Sequence, residues 1–132
     1  MSGERDLDRL IASMEPVLHP DTFVFATCAN ALHEGIRPLM TFQEAEGITL
    51  ICTRAEAEGT DIKWDYPCRM ITLNIHSSLE AVGFLARITT ALAAEGLSVN
   101  PVSAFFHDHL FVPEDRVGEA MTILARLSQE AR

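Results

Sequence analysis

The sequence predicts an α+β fold, an antiparallel sheet with helices on one face, and three observations carry that prediction. Runs rich in β-branched and aromatic residues alternate with stretches of helical apolar spacing. Residues 39–53 read as a hairpin, two apolar runs around Ala45-Glu46-Gly47. Residues 69–130 read strand, helix, strand, strand, helix, a ferredoxin-like unit lacking its last strand. At 132 residues, 48% of them apolar, the chain suits one domain, or two small units sharing a core.

The elements follow in order. Leu7, Leu10, Ile11 and Met14 stand at i, i+3, i+4 and i+7, which predicts a short helix over 6–15. Asp6 is its cap, and Pro16 lies just past its end. "TFVFATCA" (22–29) reads as a buried strand and 30–38 as a loop. The hairpin has strands over 39–44 and 48–53. A short acidic helix over 54–60 ends near Gly59, and 61–67 is a turn-rich linker with the only Trp and Tyr.

The second half opens with a strand over 69–75. Ser77-x-x-Glu80 fits a capping box, in which serine hydroxyl and glutamate carboxylate satisfy orphan N–H groups. Ala81, Leu85, Ile88 and Leu92 then line one helix face, and Gly96 ends that helix. Strands over 97–106 and 109–112 follow, and Pro113 is placed to start the last helix at its first position. Val117, Ala120, Met121, Leu124 and Leu127 give that helix its apolar stripe. The strand at 69–75 needs a neighbour on its open side, because bare backbone groups there invite aggregation. An N-terminal strand, beginning with 22–29, is predicted to fill the place.

The formal net charge of −9, from 19 acidic and 10 basic residues, disfavours nucleic acid and anionic membrane surfaces as partners. Ser2–Asp8 is polar and acidic with no apolar stretch behind it, so no signal peptide is expected. No apolar run approaches the roughly 20 residues of a membrane span. Cys28, Cys52 and Cys68 are an odd number at wide spacings without CxxC, as expected of free thiols in a reducing cytoplasm. No Ser-His-Asp order, GxGxxG or P-loop is present, and no cofactor is expected. Glu44/Glu46 and Glu56/Glu58 read as solvated carboxylates, and His19 and His33 as exposed loop residues.

From His76 to Val112 the chain runs "HSSLEAVGFLARITTALAAEGLSVNPVSAFFHDHLFV". This stretch resembles an ACT domain, whose pattern is a strand, a loop with glycine at the first helix, then "LAxxGI-x-[VI]-N" into the second strand. Gly83 holds the loop position, and Leu92 to Asn100, "LAAEGLSVN", matches the second element. "DLDRLIASMEPVL" and "FQEAEGITLI" resemble the ACT-like first half of tandem proteins of this kind. The resemblance implies two tandem βαββαβ units, an ACT-like half over 1–68 and an ACT domain over 69–132. It implies a non-catalytic, cytoplasmic regulatory protein that binds a small molecule, an amino acid foremost. A homodimer is the expected assembly. The alternative is a protein–protein interaction module without a ligand.

Candidate sites follow from the residues and the resemblance together. In the 76–83 loop a helix N-terminus offers N–H groups and partial positive charge to a carboxylate. Ser77 and Glu80 capping the helix is the plainer reading. The family's ligand loop falls on Ser78, Ala81, Val82 and Gly83, and its edge strand on Val99, Asn100 and Val102. Pro101 supports the edge independently, having no N–H to donate. Asn100 can donate and accept, toward a ligand or toward the backbone beside the proline. His107-Asp108-His109 could place two imidazoles on one side of a strand for a metal, with His76 as third ligand. The short distance from Phe106 to Leu110 favours a chain reversal there instead.

Overall fold

The computed structural model describes residues 6–76 and 81–132. The chain runs α1 (Leu7–Ser13), β1 (Pro16–Cys28), β2 (Met40–Glu44), β3 (Gly47–Thr53), α2 (Arg54–Glu58), β4 (Lys63–Leu73), α3 (Phe84–Ala94), β5 (Asn100–Ser103), β6 (Asp108–Pro113), a 3-10 turn (Glu114–Arg116) and α4 (Val117–Glu130). Two compact units divide it. Unit 1 takes residues up to His19 together with Arg69–Arg132, and unit 2 takes Pro20–Cys68. Strands β1 and β4 therefore each supply residues to both units.

Within unit 1 the strand neighbours run β1-β4-β6-β5. Asp6 caps α1, accepting from the Arg9 N–H. Leu10, Ile11 and Met14 of α1, Phe84, Ile88 and Leu92 of α3, and Ala120, Ile123 and Leu124 of α4 bury against Ile71, Leu73, Leu110 and Val112 of the sheet. Burial of each of these side chains other than Ala120 contributes about 1.5–3 kcal/mol. All three helices share that one face, as the apolar stripes required. The place beside β4 is filled by the N-terminal strand, as expected, but by 16–19 rather than 22–29. The Asn74 N–H donates to the Glu15 carbonyl at 2.9 Å. The Arg69 guanidinium donates twice to the His19 carbonyl, at 3.1 and 2.8 Å.

Within unit 2 the order is β2-β3-β1-β4, and β3 pairs antiparallel with both β1 and β2. Val24, Ala26, Leu50, Cys52, Ala57 and Ile62 form its core. The hairpin and the short helix stand where the sequence put them. Thr53 and Glu56 make a true capping box, which the acidic composition of this helix had obscured.

Four expectations need correction. Residues 61–67 are not a linker, since β4 starts at Lys63. Their strand-poor residues are carried by a local distortion at Tyr66, φ +64, the one non-glycine residue in the left-handed region among the described residues. Helix α3 starts at Phe84 behind Gly83, φ +89, so Ala81 lies ahead of the helix rather than on it. The Ser77/Glu80 pair and Ser78 lie outside the described residues. Pro113 closes β6 and precedes a 3-10 turn rather than opening α4. Finally, the chain reverses over 104–107, closed by the Ala104 N–H donating to the His107 carbonyl at 3.0 Å. Asp108 and His109 are strand residues, not turn residues.

Candidate functional site

The candidate site lies in unit 1, at the end of β4 where the chain enters α3. A glycine occupies the cap position of α3, and among the described residues no side chain caps the helix there. The first-turn N–H groups of α3 thus carry their partial positive charge without a side-chain acceptor from the cap residue. Only glycine takes φ +89 without strain, and a Cβ there would meet Leu7 Cδ2 at 3.8 Å. Ala81 is half-buried against the unit 1 core, whereas Val82 is 87% exposed. An apolar side chain so open is available to a ligand or a partner.

The second expected element, β5, is the edge strand of unit 1. Asn100 pairs with Phe111, Pro101 with Leu110 and Val102 with His109. Asn100 is exposed, while Val99 and Val102 are half-buried. Strand β6 stands between β4 and β5, so the 81–83 loop and the β5 residues are not carried on neighbouring strands.

The structure instead brings the hairpin tip up to the loop. The His107 ring stands 3.4 Å from the Ile75 carbonyl. The His76 and Phe106 rings lie 5.9 Å apart, and Phe105 meets Phe106 edge to face at 4.9 Å. Phe105 and Phe106 remain 69% and 61% exposed. Their signal in the sequence was two adjacent phenylalanines at a reversal, where polar turn residues are the rule.

A polar row that sequence reasoning missed crosses the same sheet. Thr72 Oγ1 stands 3.0 Å from His19 Nε2 and 2.9 Å from His109 Nδ1, so one hydroxyl bridges β1, β4 and β6. His19 is half-buried in β1, not an exposed loop residue. Burial, then His107 and His19 nearby, holds the His109 imidazole's affinity for protons below the ordinary histidine range, with Asp108 opposing. Asp108 is buried and accepts from the Ser103 hydroxyl at 2.5 Å across the hairpin. The His107 and His109 rings are 6.4 Å apart and nearly perpendicular. Among the described residues no three His, Cys, Asp or Glu side chains come together to hold a metal ion.

Elsewhere the candidate chemistry is structural. His33 is exposed and reaches Asp61 at 3.4 Å. Burial raises the Glu56 carboxyl, but hydrogen bonds from the Arg37 N–H and from Thr53 outweigh it and hold it below the usual carboxylate range. Burial, with Glu56 and Cys28 adding, pushes the Cys52 thiol up, away from nucleophilic character. No helix of the described residues is long and apolar enough to cross a membrane.

Residues 2–69 match one ACT domain model and residues 65–126 another. No curated protein matches the chain. A Vibrio cholerae protein of unknown function, named as a possible transport protein, superposes with a TM-score of 0.85 at 35% identity. That superposition covers 96% of this chain and 99% of the other. The regulatory subunit of Thermus thermophilus aspartate kinase superposes with a TM-score of 0.66 at 10% identity, over 87% of this chain and 96% of that one. A protein from Agrobacterium tumefaciens superposes with a TM-score of 0.76 at 14% identity, over 87% and 89%. With two ACT models matched in tandem along nearly its whole length, the chain belongs to the ACT domain family.

Proposed function

We propose that this protein is a non-catalytic, cytoplasmic regulator that binds a small molecule, an amino acid foremost, at the entrance to α3. The observation that carries the reading is Gly83. Among the described residues it leaves the first turn of α3 without a side-chain cap, and Val82 beside it is exposed. A carboxylate suits those N–H groups, since the helix dipole and the backbone donors act together. Membership in the ACT family supports the reading, and so does the likeness to a protein named as an aspartate kinase regulatory subunit. Ser78, Ala81, Val82 and Gly83 are proposed to hold the ligand. Val99, Asn100 and Val102 of the edge strand would complete the site from a second copy, because β6 separates the two elements within one unit.

The test is calorimetry with the twenty amino acids on the wild type and on Gly83→Val. Binding by the wild type and its loss in a folded Gly83→Val protein is the expected result. A valine at φ +89 costs roughly 1–3 kcal/mol, so circular dichroism must accompany the titration. No heat with any amino acid would sink the reading. The exposed Phe105-Phe106 tip favours a second reading, an interaction module without a ligand. Phe105→Ser with Phe106→Ser would then abolish partner capture and leave amino-acid titrations flat.

A further inference from the structure

Unit 1 holds its outermost strand in an unusual way. Within this unit β1 stands at the outside of the order β1-β4-β6-β5. Its stretch there reads Pro16-Val17-Leu18-His19, and Pro20 follows. The two prolines have no N–H to give a ladder, so backbone bonds alone hold this stretch weakly. Side chains supply what the ladder lacks. The Arg69 guanidinium donates twice to the His19 carbonyl, at 3.1 and 2.8 Å. The His19 ring meets Thr72 of β4 and, through its hydroxyl, His109 of β6. Thr72 alternates with Ile71 and Leu73, and His109 adjoins Leu110, all of which pack in the helix-covered core, so this row lies on the other face.

The bridge depends on the charge of its rings. With both imidazoles neutral, the hydroxyl donates its one hydrogen to one ring nitrogen and accepts from the other. A proton on the accepting ring turns that nitrogen into a donor, and the hydroxyl hydrogen then has no acceptor on either facing nitrogen. Protons on both rings also set two positive charges on either side of one oxygen, where Thr72 is 8% exposed. The surrounding groups offer little relief. His107, its ring 6.4 Å from that of His109, adds repulsion when protonated. Asp108 opposes the other effects on His109, but it points to the opposite side of β6 and accepts from Ser103. Arg69 brings a further positive charge to the His19 carbonyl. Asp21, the next residue of β1 on the His19 side, is exposed. Strand β5 presents Asn100 and Val102, neither of them titratable.

We infer that the His19–Thr72–His109 bridge is a proton-operated latch, which holds residues 16–19 against β4 while the rings are neutral and opens when acid charges them. Burial lowers the affinity of His109 for protons, and a ring no longer covered regains it, so protons favour the open state. The opening is local. Helix α1 stays anchored by Leu10 and Ile11 in the core and by the Ser128 hydroxyl, which donates to the Ala12 carbonyl at 2.9 Å. What loosens is the connection between α1 and the rest of β1. The latch is independent of any ligand at the entrance to α3 and does not rest on that reading.

Amide hydrogen exchange of the full chain, followed by NMR and expressed as protection relative to an unstructured peptide, tests this between about pH 8 and pH 5, where histidines change charge. The reporter is the Asn74 N–H, which donates to the Glu15 carbonyl at 2.9 Å beside the latched stretch. Its protection should fall about threefold to tenfold on acidification, the scale of one net hydrogen bond. The Leu97 N–H, bonded to the Leu92 carbonyl in the same unit, and the Leu39 N–H, bonded to the Ile51 carbonyl in unit 2, should keep theirs. His19→Gln combined with His109→Gln leaves amide partners for Thr72 without the charges, and should make Asn74 protection independent of pH. Should that pair fail to fold, Thr72→Val decides: it removes the bridge, and should lower Asn74 protection already at pH 8, whereas Thr72→Ser should keep it. The inference is overturned by Asn74 protection that does not fall with acid, or by an equal fall at Leu97 and Leu39. It is also overturned by an unchanged fall in the glutamine pair, or by wild-type protection at pH 8 in Thr72→Val.

Discussion

Replacing Thr72 by valine removes one oxygen and keeps the shape of the side chain. Thr72 is 8% exposed, and its hydroxyl bridges His19 Nε2 at 3.0 Å and His109 Nδ1 at 2.9 Å. One hydroxyl can donate to one imidazole nitrogen while accepting from the other. The variant loses both bonds, each worth about 0.5–1.5 kcal/mol net. Both rings are only half-buried and regain some hydration, so the loss should total about 1–2 kcal/mol rather than more. For a chain of this size that is roughly 3–8 °C in Tm. Urea denaturation followed by circular dichroism at pH 8 measures it. Thr72→Ser keeps the oxygen and loses only a methyl group. If the hydroxyl matters, serine retains more of the stability than valine does. A valine variant as stable as the wild type, or a serine variant that falls further than valine, would refute the bridging role.

Two further outcomes follow from the same structure. The imidazole of His109 has its affinity for protons lowered in the folded state, so the unfolded chain binds more protons below its ordinary value of about 6.5. Stability should therefore be complete above pH 6.5 and decline as the pH falls below it; urea midpoints between pH 5 and 8 should show this, with a shallower decline in His109→Asn. At Gly47, φ +149, an added Cβ would lie 2.6 Å from the Cys28 carbonyl oxygen, so Gly47→Ala should cost about 2 kcal/mol or more by urea denaturation, and an unchanged midpoint would show that the turn yields.

Much of this architecture was legible because local and tertiary demands agree. Leu10 and Ile11, or Ile88 and Leu92, recur at helical spacing and bury fully against one core. Pro101, with no N–H to donate, supported the edge position that β5 takes. The misreadings fall where local chemistry pointed one way and the sheet another. Pro16 and Pro20 look like breakers, yet both lie in β1, whose first residues give unit 1 its missing neighbour. Asp65 and Pro67 disfavour a strand, yet β4 runs through them with Tyr66 in a strained conformation. The pairing of His19 with Thr72 joins residues 53 positions apart and left no local trace. Of the candidate site, the glycine was legible from its family pattern. The Phe105-Phe106 tip was not, because only the β4–β6 neighbourhood places it beside His76.

The assignment of residues to units bears on the order in which the chain can fold as it is made. Unit 2 is continuous, and all of its strands exist once Cys68 has been synthesised. Unit 1 must wait. Its first helix and the 16–19 segment are made early, but their partners come last: the Ser128 hydroxyl donates to the Ala12 carbonyl across 116 residues. Closing so long a loop carries an entropic cost that local hairpins escape. During synthesis α1, with Leu10, Ile11 and Met14 on its apolar face, has no core of its own until α3 and α4 emerge. A nascent chain arrested near residue 100 should accordingly protect the hairpin of unit 2 from proteolysis while α1 is still cut.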